Sequence, residues 1–234
     1  MSKLSICIPV YNEQATIREL LDKVTAVPLD KEIIVVNDGS TDRTPQILAE
    51  YADNHHISVF NKSNGGKGTA LIEAFKHVSG DYVVVQDADL EYDPFDFVKM
   101  LATAESKNVT VVYGSRFLGK PLTMSVLKNY LASKLLSFFV WLLYGQMITD
   151  ESTCYKLFKT EVLKQIPLEC KRFEFCPEVT AKVLKRGIKI IEVPVSFNPR
   201  DAKDGKKISY LKDGWEAVAT LFKYSSQFKS RGIS

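Results

Sequence analysis

Tyr82-Val83-Val84-Val85-Gln86-Asp87-Ala88-Asp89 is the stretch whose reading decides the fold. Tyr82 to Gln86 reads as a short buried strand, rich in β-branched residues. Asp87 and Asp89 follow it directly, two residues apart. In extended geometry both side chains point to one side of the chain. Two carboxylates held together repel each other unless a cation or protons neutralise them. A hard divalent ion, Mg²⁺ or Mn²⁺, suits such oxygen ligands and keeps coordination positions for substrate phosphates. Glu91, two residues further on, can join the set. The plainer alternative is a pair of solvated loop acids or a helix cap.

Working outward, the same pattern recurs. Leu4 to Val10 reads as a buried strand, followed by Tyr11-Asn12-Glu13 and a helix with apolar residues at Ile17, Leu20, Leu21 and Val24, spanning Glu13 to Val27. Glu32 to Val36 is a second strand, stopped by Asn37-Asp38-Gly39-Ser40. Thr44-Pro45 opens a helix, with proline at an early helical position. Ile57 to Phe60 is a third strand. Asn64-Gly65-Gly66-Lys67-Gly68 then feeds a helix that runs through His77. After the Asp87 segment, Pro94 starts a helix to about Glu105, and Val109 to Tyr113 is a fifth strand. Strands alternating with helices predict an α/β fold with a mostly parallel central sheet flanked by helices. Ligands bind such sheets beyond the carboxyl ends of the strands. The polar, glycine-rich and acidic residues sit at those ends, from Tyr11–Glu13 through Asn37–Thr41, Asn64–Lys67 and Asp87–Glu91 to Gly114–Arg116.

The rest of the chain is less regular. Leu122 to Ile148 reads as a strongly apolar helix, with Phe138, Phe139, Trp141 and Tyr144 toward its end and Lys128 and Lys134 near its start. Phe173 to Arg186 reads as a helix ended by Gly187. Lys189 to Phe197 reads as a strand in which Pro194 favours an edge or a bulge. A last helix runs from Leu211 to about Tyr224.

The 234 residues fit one large domain, with 45% hydrophobic and 25% charged residues. A net charge of +3 is too small to point to a nucleic-acid partner. Lysine and arginine gather in the C-terminal third, which suits an anionic ligand or membrane surface as well as a plain solvated face. Cys7, Cys154, Cys170 and Cys176 form no CxxC pair, so a reduced intracellular chain without structural zinc is expected. Met1-Ser2-Lys3-Leu4 enters a strand without a signal-peptide h-region, and no stretch reaches the ~20 uninterrupted apolar residues of a membrane span. The expected location is the cytoplasm, including the cytoplasmic face of a membrane.

Several other residues are candidates. Asp38, at a strand end, can accept from a nucleobase or ribose, or belong to the capping of the next helix. The Gly65-Gly66 loop can cradle a phosphate at a helix N-terminus, although it lacks Walker A spacing and also reads as an ordinary loop. Arg116, Arg200, Lys206 and Lys207 are candidate phosphate ligands. His55, His56 and His77 fall away from the acids, and no Ser/His/Asp or Cys/His arrangement supports covalent acyl chemistry.

Four motifs in order resemble glycosyltransferase family 2. They are Ile8-Pro9-Val10-Tyr11-Asn12-Glu13, Val35-Val36-Asn37-Asp38-Gly39-Ser40-Thr41-Asp42, Asn64-Gly65-Gly66-Lys67-Gly68 and Asp87-Ala88-Asp89-Leu90, with Gly114-Ser115-Arg116 after them. Within that family the chain is most similar to dolichol-phosphate mannosyltransferases and bacterial polyprenyl-phosphate relatives. Asp150 to Phe158 resembles their Asp-x-x-Ser-Gly-Phe segment, with Thr153-Cys154 in place of the usual small pair. Pro199-Arg200 with Gly205-Lys206-Lys207-Ile208 resembles their basic loop. Many relatives add C-terminal membrane helices, absent before Ser234.

The resemblance implies a GT-A nucleotide-sugar fold. Residues 1–117 would form its nucleotide-sugar-binding half and residues 118–234 its acceptor-binding half. Pro9, Tyr11, Glu13 and Asp38 would hold the base and ribose of the donor, with Lys67, Asp87 and Ala88 beside them. Asp87 would bind ribose or metal, and Asp89 and Glu91 the metal, although many relatives have glutamine at the latter position. Arg116, Arg200 and Lys206 or Lys207 would handle phosphates. The implied reaction is inverting transfer of a hexose from a nucleoside-diphosphate sugar of the GDP-mannose or UDP-glucose type to a polyprenyl or dolichyl phosphate. Such an acceptor is already ionised and needs no strong base. For a hydroxyl acceptor, Asp150 or Glu151 would be the first base candidates. The alternatives are a family 2 transferase acting on a glycan, a nucleotidyltransferase, and a non-catalytic sugar-nucleotide-binding protein. The apolar helix after Leu122 would lie in a membrane interface or form a core or dimer helix. A homodimer or a separate membrane-anchoring subunit are the partners that follow.

Overall fold

Tyr82–Val85 lies near the middle of a seven-stranded sheet in the computed structural model, which describes residues 2–51, 54–119, 124–200 and 210–226. β1 (Leu4–Val10), β2 (Lys31–Asp38), β3 (Ile57–Lys62) and β4 (Tyr82–Val85) run parallel in the spatial order β3-β2-β1-β4. Helices α1 (Ile17–Ala26), α2 (Thr44–Ala49) and α3 (Lys67–Phe75) connect them. All seven residues of β1 are buried, which is why the strand reads as one apolar run rather than an alternation. Burying a side chain such as Ile6 or Ile8 stabilises the fold by about 1.5–3 kcal/mol relative to leaving it exposed.

The first helix starts four residues later than its periodicity suggests. Asn12 takes a left-handed φ of 50°, and its backbone N–H donates to Ser40 Oγ at 2.9 Å. Thr16 is pinned to the Ala88 carbonyl at 2.8 Å. Residues 11–16 therefore form a loop at the sheet's rim instead of a helical turn.

Beyond β4 the order continues β6-β5-β7, and α4 (Asp96–Ser106) leads into β5 (Val111–Ser115). β7 (Ile191–Pro194) pairs parallel with β5 at the sheet edge, where Pro194 is tolerated. The unexpected strand is β6 (Lys156–Lys159), which lies antiparallel between β4 and β5. Its charged ends hid it. Lys156 is fully buried, with Nζ donating to the Glu151 carbonyl at 2.6 Å and lying 3.9 Å from the Tyr113 ring centroid. The sheet is mostly parallel, as expected, but the later part of the chain supplies two of its seven strands.

α6 (Thr160–Lys164) and α7 (Phe175–Lys185) follow β6. The long apolar helix is α5 (Leu127–Tyr144), after a short 3₁₀ turn over Met124–Val126. It ends at Gly145, whose φ of 76° permits the left-handed cap, so it stops short of Ile148. α5 packs against α7 and against α8 (Tyr210–Ser226), with Tyr144 Oη donating to the Leu221 carbonyl at 2.6 Å. Its other side is exposed yet still apolar, with Leu131, Leu135, Phe138, Trp141 and Leu142 facing outward. Among the described residues no helix is long and apolar enough to cross a membrane.

Candidate active site

Asp38, the last residue of β2, is only 2% exposed. One of its carboxylate oxygens accepts from Lys62 Nζ at 2.5 Å and from Gly65 N at 3.0 Å. The other accepts from Gly66 N at 2.7 Å. The anion that the glycine loop cradles is thus the chain's own Asp38. Gly66 is required there: its φ is 94°, and a Cβ would sit 2.5 Å from the Lys171 carbonyl oxygen. The loop therefore brings Arg172 and Phe173 to the rim and starts α3 with Lys67.

Lys67 reaches across to Asp87 and forms an ion pair with it. Burial alone would lower the lysine's pKa, but the Asp87 charge holds it well above the ordinary value, so the ammonium stays charged. Asp89 is 8% exposed, and burial together with the charges of Asp87 and Glu91 pushes its carboxyl up to about 7 against the opposing pull of Arg200. Its Oδ1 accepts from the Glu91 backbone N–H at 3.1 Å, and its Oδ2 accepts from Arg200 Nη2 at 2.8 Å. Glu91 Oε1 accepts from the Arg200 backbone N–H at 2.9 Å. The acids nominated as metal ligands, Asp87, Asp89 and Glu91, are together at one rim but form no closed cage. Among the described residues no group of three or more histidine, cysteine or acidic side chains is arranged to hold a metal ion. An open, acid-rich rim with one carboxyl raised toward neutrality fits a hard cation that completes its shell with a ligand's phosphate oxygens.

These residues surround a cavity of about 430 Å³. Pro9, Tyr11, Glu13, Asp38, Lys67, Asp87 and Ala88 all line it, and so do Asp89, Glu91 and Arg200. A second cavity, of about 170 Å³, shares Lys67, Asp87, Glu91 and Phe173 with the first. It continues toward Arg116, Ser152 and Cys154, with apolar walls from Leu136, Phe175 and Ala217 of α5, α7 and α8. The two cavities meet where the acids are.

Arg116, just after β5, is held on several sides. Nε donates to Asp150 Oδ2 and Nη2 to Asp150 Oδ1, both at 2.7 Å, and Nη2 also reaches Ser152 Oγ at 2.8 Å. Its guanidinium carbon lies 5.0 Å from the Phe197 ring centroid. Asp150 is fully buried and accepts a further bond from Ser133 Oγ at 2.7 Å. Burial would raise its carboxyl, but the Arg116 charge and these hydrogen bonds carry it below the usual range. Asp150 positions Arg116 and is poorly suited to accept a proton. Glu151, the other nominated base, is also fully buried, and burial raises its carboxyl. Its Oε1 accepts from Thr180 Oγ1 at 3.3 Å in the core. Lys206 and Lys207 lie outside the described residues. None of the three histidines lines either cavity; His77 stacks on Phe60 with centroids 3.6 Å apart.

Residues 5–167 match the family model described as Glycosyl transferase family 2. The chain belongs to that family. Among curated family relatives it is 30% identical over 220 residues to a low-salt glycan biosynthesis hexosyltransferase of Haloferax volcanii, covering 92% of this chain and 52% of the relative. It is 29% identical over 220 residues to an undecaprenyl-phosphate 4-deoxy-4-formamido-L-arabinose transferase of Photorhabdus laumondii, covering 91% and 65%. The chain thus spans between half and two thirds of the length of these relatives. In fold it resembles glucosyl-3-phosphoglycerate synthase from Mycobacterium tuberculosis, solved with Mn²⁺, UDP and phosphoglyceric acid. The TM-score is 0.72 at 19% identity, over 100% of this chain and 80% of that one.

Family 2 motifs led to much of the larger cavity but not to the whole lining of the site. Lys62 (which holds Asp38), Arg172 and Phe173 on the larger cavity, and Asn129 on the smaller one carry no motif of their own, whereas Ser152 and Cys154 fall in the Asp150 to Phe158 segment. Lys171-Arg172 stood out only as a basic pair; its approach to Gly66 is a tertiary contact.

Proposed function

We propose that this family 2 chain is an inverting glycosyltransferase that moves a hexose from a nucleoside-diphosphate sugar to a lipid-linked phosphate at a membrane surface. The observation that carries this reading is the junction of the two cavities at Lys67, Asp87 and Glu91. The larger cavity is of a size that suits a nucleotide sugar. The smaller one couples a guanidinium, Arg116, to apolar walls on α5, α7 and α8, the combination that a phosphate on a hydrocarbon chain requires. The apolar outer side of α5, with Lys128 exposed at its start, supports contact with an anionic bilayer.

In this reading Tyr11, Glu13 and Pro9 border the base and ribose, while Asp38 acts indirectly by holding the glycine loop. Asp89, with Asp87 or Glu91 beside it, would hold Mg²⁺ or Mn²⁺. Bound there, the ion would neutralise charge on the departing diphosphate. Lys67 and Arg200 add positive charge on the same side. Arg116 orients the acceptor phosphate, whose ionised oxygen attacks the anomeric carbon opposite the leaving group. The engagement of Asp150 with Arg116, which holds its carboxyl below the usual range, removes it as a base and favours an acceptor that arrives already ionised over a glycan hydroxyl.

The test is a donor panel of GDP- and UDP-sugars with Mn²⁺ or Mg²⁺, each offered a short polyprenyl phosphate and a soluble glycan. Sugar should appear on the lipid and depend on the divalent ion. Transfer to the glycan alone would sink the lipid reading, and undiminished transfer in EDTA would sink the metal's role.

A further inference from the structure

The chain after β7 is stitched along the acid rim. Val195 N donates to the Ser115 carbonyl at 2.9 Å, Phe197 bridges to Tyr92, and Asn198 N donates to the Glu91 carbonyl at 2.7 Å. This course delivers the Arg200 guanidinium into a group of three acids drawn from two strand ends. Nη2 is 2.8 Å from Asp89 Oδ2, Nη1 is 3.6 Å from Glu13 Oε2, and Nε is 4.0 Å from Glu91 Oε1. The seat satisfies the guanidinium poorly. Among the described residues its Nε–H, shielded from solvent, has no hydrogen-bond acceptor, and only one of its three carboxylate contacts is short.

We propose that Arg200 is a resident counter-ion that competes with the divalent cation for Asp89 and gives up that carboxylate when cation and diphosphate arrive together. The inference rests on the metal-assisted reading above. Asp89 is the acid shared by both: its Oδ2 faces Nη2 and its Oδ1 is engaged by the Glu91 N–H. A guanidinium and a divalent ion on one carboxylate repel each other, so the ion alone must displace Arg200 and leave it without its short contact. A diphosphate removes that penalty, because its oxygens supply acceptors to the freed guanidinium, Nε–H included. Arg200 thereby makes binding of the ion depend on the nucleotide, and by linkage the reverse.

Mn²⁺ binding to the full chain, followed by electron paramagnetic resonance without nucleotide, tests this directly, with GDP and UDP titrated calorimetrically at saturating Mn²⁺ in parallel. Arg200→Ala should bind Mn²⁺ alone about 5- to 10-fold more tightly than the parent chain and bind nucleoside diphosphate about tenfold more weakly. Arg200→Lys, which keeps the charge, should fall between them. Arg172→Ala removes a cation from the same cavity that makes no contact with the acids, and should change Mn²⁺ affinity less than about twofold. Unchanged or weaker Mn²⁺ binding in a folded Arg200→Ala protein overturns the proposal, as does an equal gain in Arg172→Ala. Absence of Mn²⁺ binding in every variant even with nucleotide overturns the metal-assisted reading itself.

Discussion

Asp150 holds the Arg116 guanidinium through Nε and Nη2. Gly114-Ser115-Arg116 marked a candidate anion ligand, and Asp150 a candidate base. Their bidentate pairing at 2.7 Å, with Asp150 fully buried, turns one into the other's support. Removing one member of a buried pair leaves an uncompensated charge and costs about 3–5 kcal/mol. Urea unfolding of Arg116→Ala should show a loss of that order. The double variant Arg116→Met with Asp150→Leu should lose clearly less than the two single variants add up to, because neither charge then remains. Additive losses would mean that the pair is not the source. Asp38 teaches the same lesson. Its place after β2 was readable from Val35-Val36-Asn37-Asp38, but its bonds to Gly65 and Gly66 depend on a loop 27 residues away.

At the scale of elements, the parallel core was readable because β1, β2 and β4 are continuous apolar runs bounded by polar turns. β6 was not, because a buried lysine breaks its hydropathy. One polar knot ties three strands at the end of the sheet away from the site. Glu32, in β2, accepts from Ser5 Oγ of β1 at 2.5 Å and from Ser79 N, just before β4, at 2.6 Å. Burial would raise its carboxyl, but these bonds and Lys3 bring it down from 4.5 to about 2. A carboxyl depressed on folding stabilises the fold above its unfolded pKa, and that contribution fades as pH falls through the folded one. Glu32→Gln should therefore cost about 1–2 kcal/mol at pH 7, after discounting for partial exposure, and the gap to the parent should close between pH ~4.5 and pH ~2. Denaturant titrations across that range check it, and a gap that persists unchanged at low pH would assign the effect to packing instead.

At the scale of the whole molecule, α5 joins site and surroundings. Its inner side walls the smaller cavity through Leu136, while Leu131, Leu135, Phe138 and Leu142 are left in contact with solvent. A helix apolar on both sides is one that something else covers. Apolar residues on every side fit a core helix and a surface one equally; only the packing of α7 and α8 on one side separates them. Leu135→Glu with Leu142→Glu should abolish flotation with vesicles containing phosphatidylglycerol, since each lost leucine contact is worth about 1.5–3 kcal/mol. Melting temperature should hardly move, because both positions are exposed. Retained flotation would remove α5 from the membrane-facing side. The antiparallel β6 has a consequence of another kind, in the order of events during synthesis. β4 and β5 do not pair with each other; each waits for a strand that leaves the ribosome more than forty residues after β5. Until then both display unpaired backbone edges, and the acid rim has no opposite wall. The nascent chain thus carries an open sheet through much of its translation; the strand that bridges β4 and β5 comes directly after the Asp150 segment that fixes Arg116, and β7 and the α7 and α8 walls of the smaller cavity follow only after it.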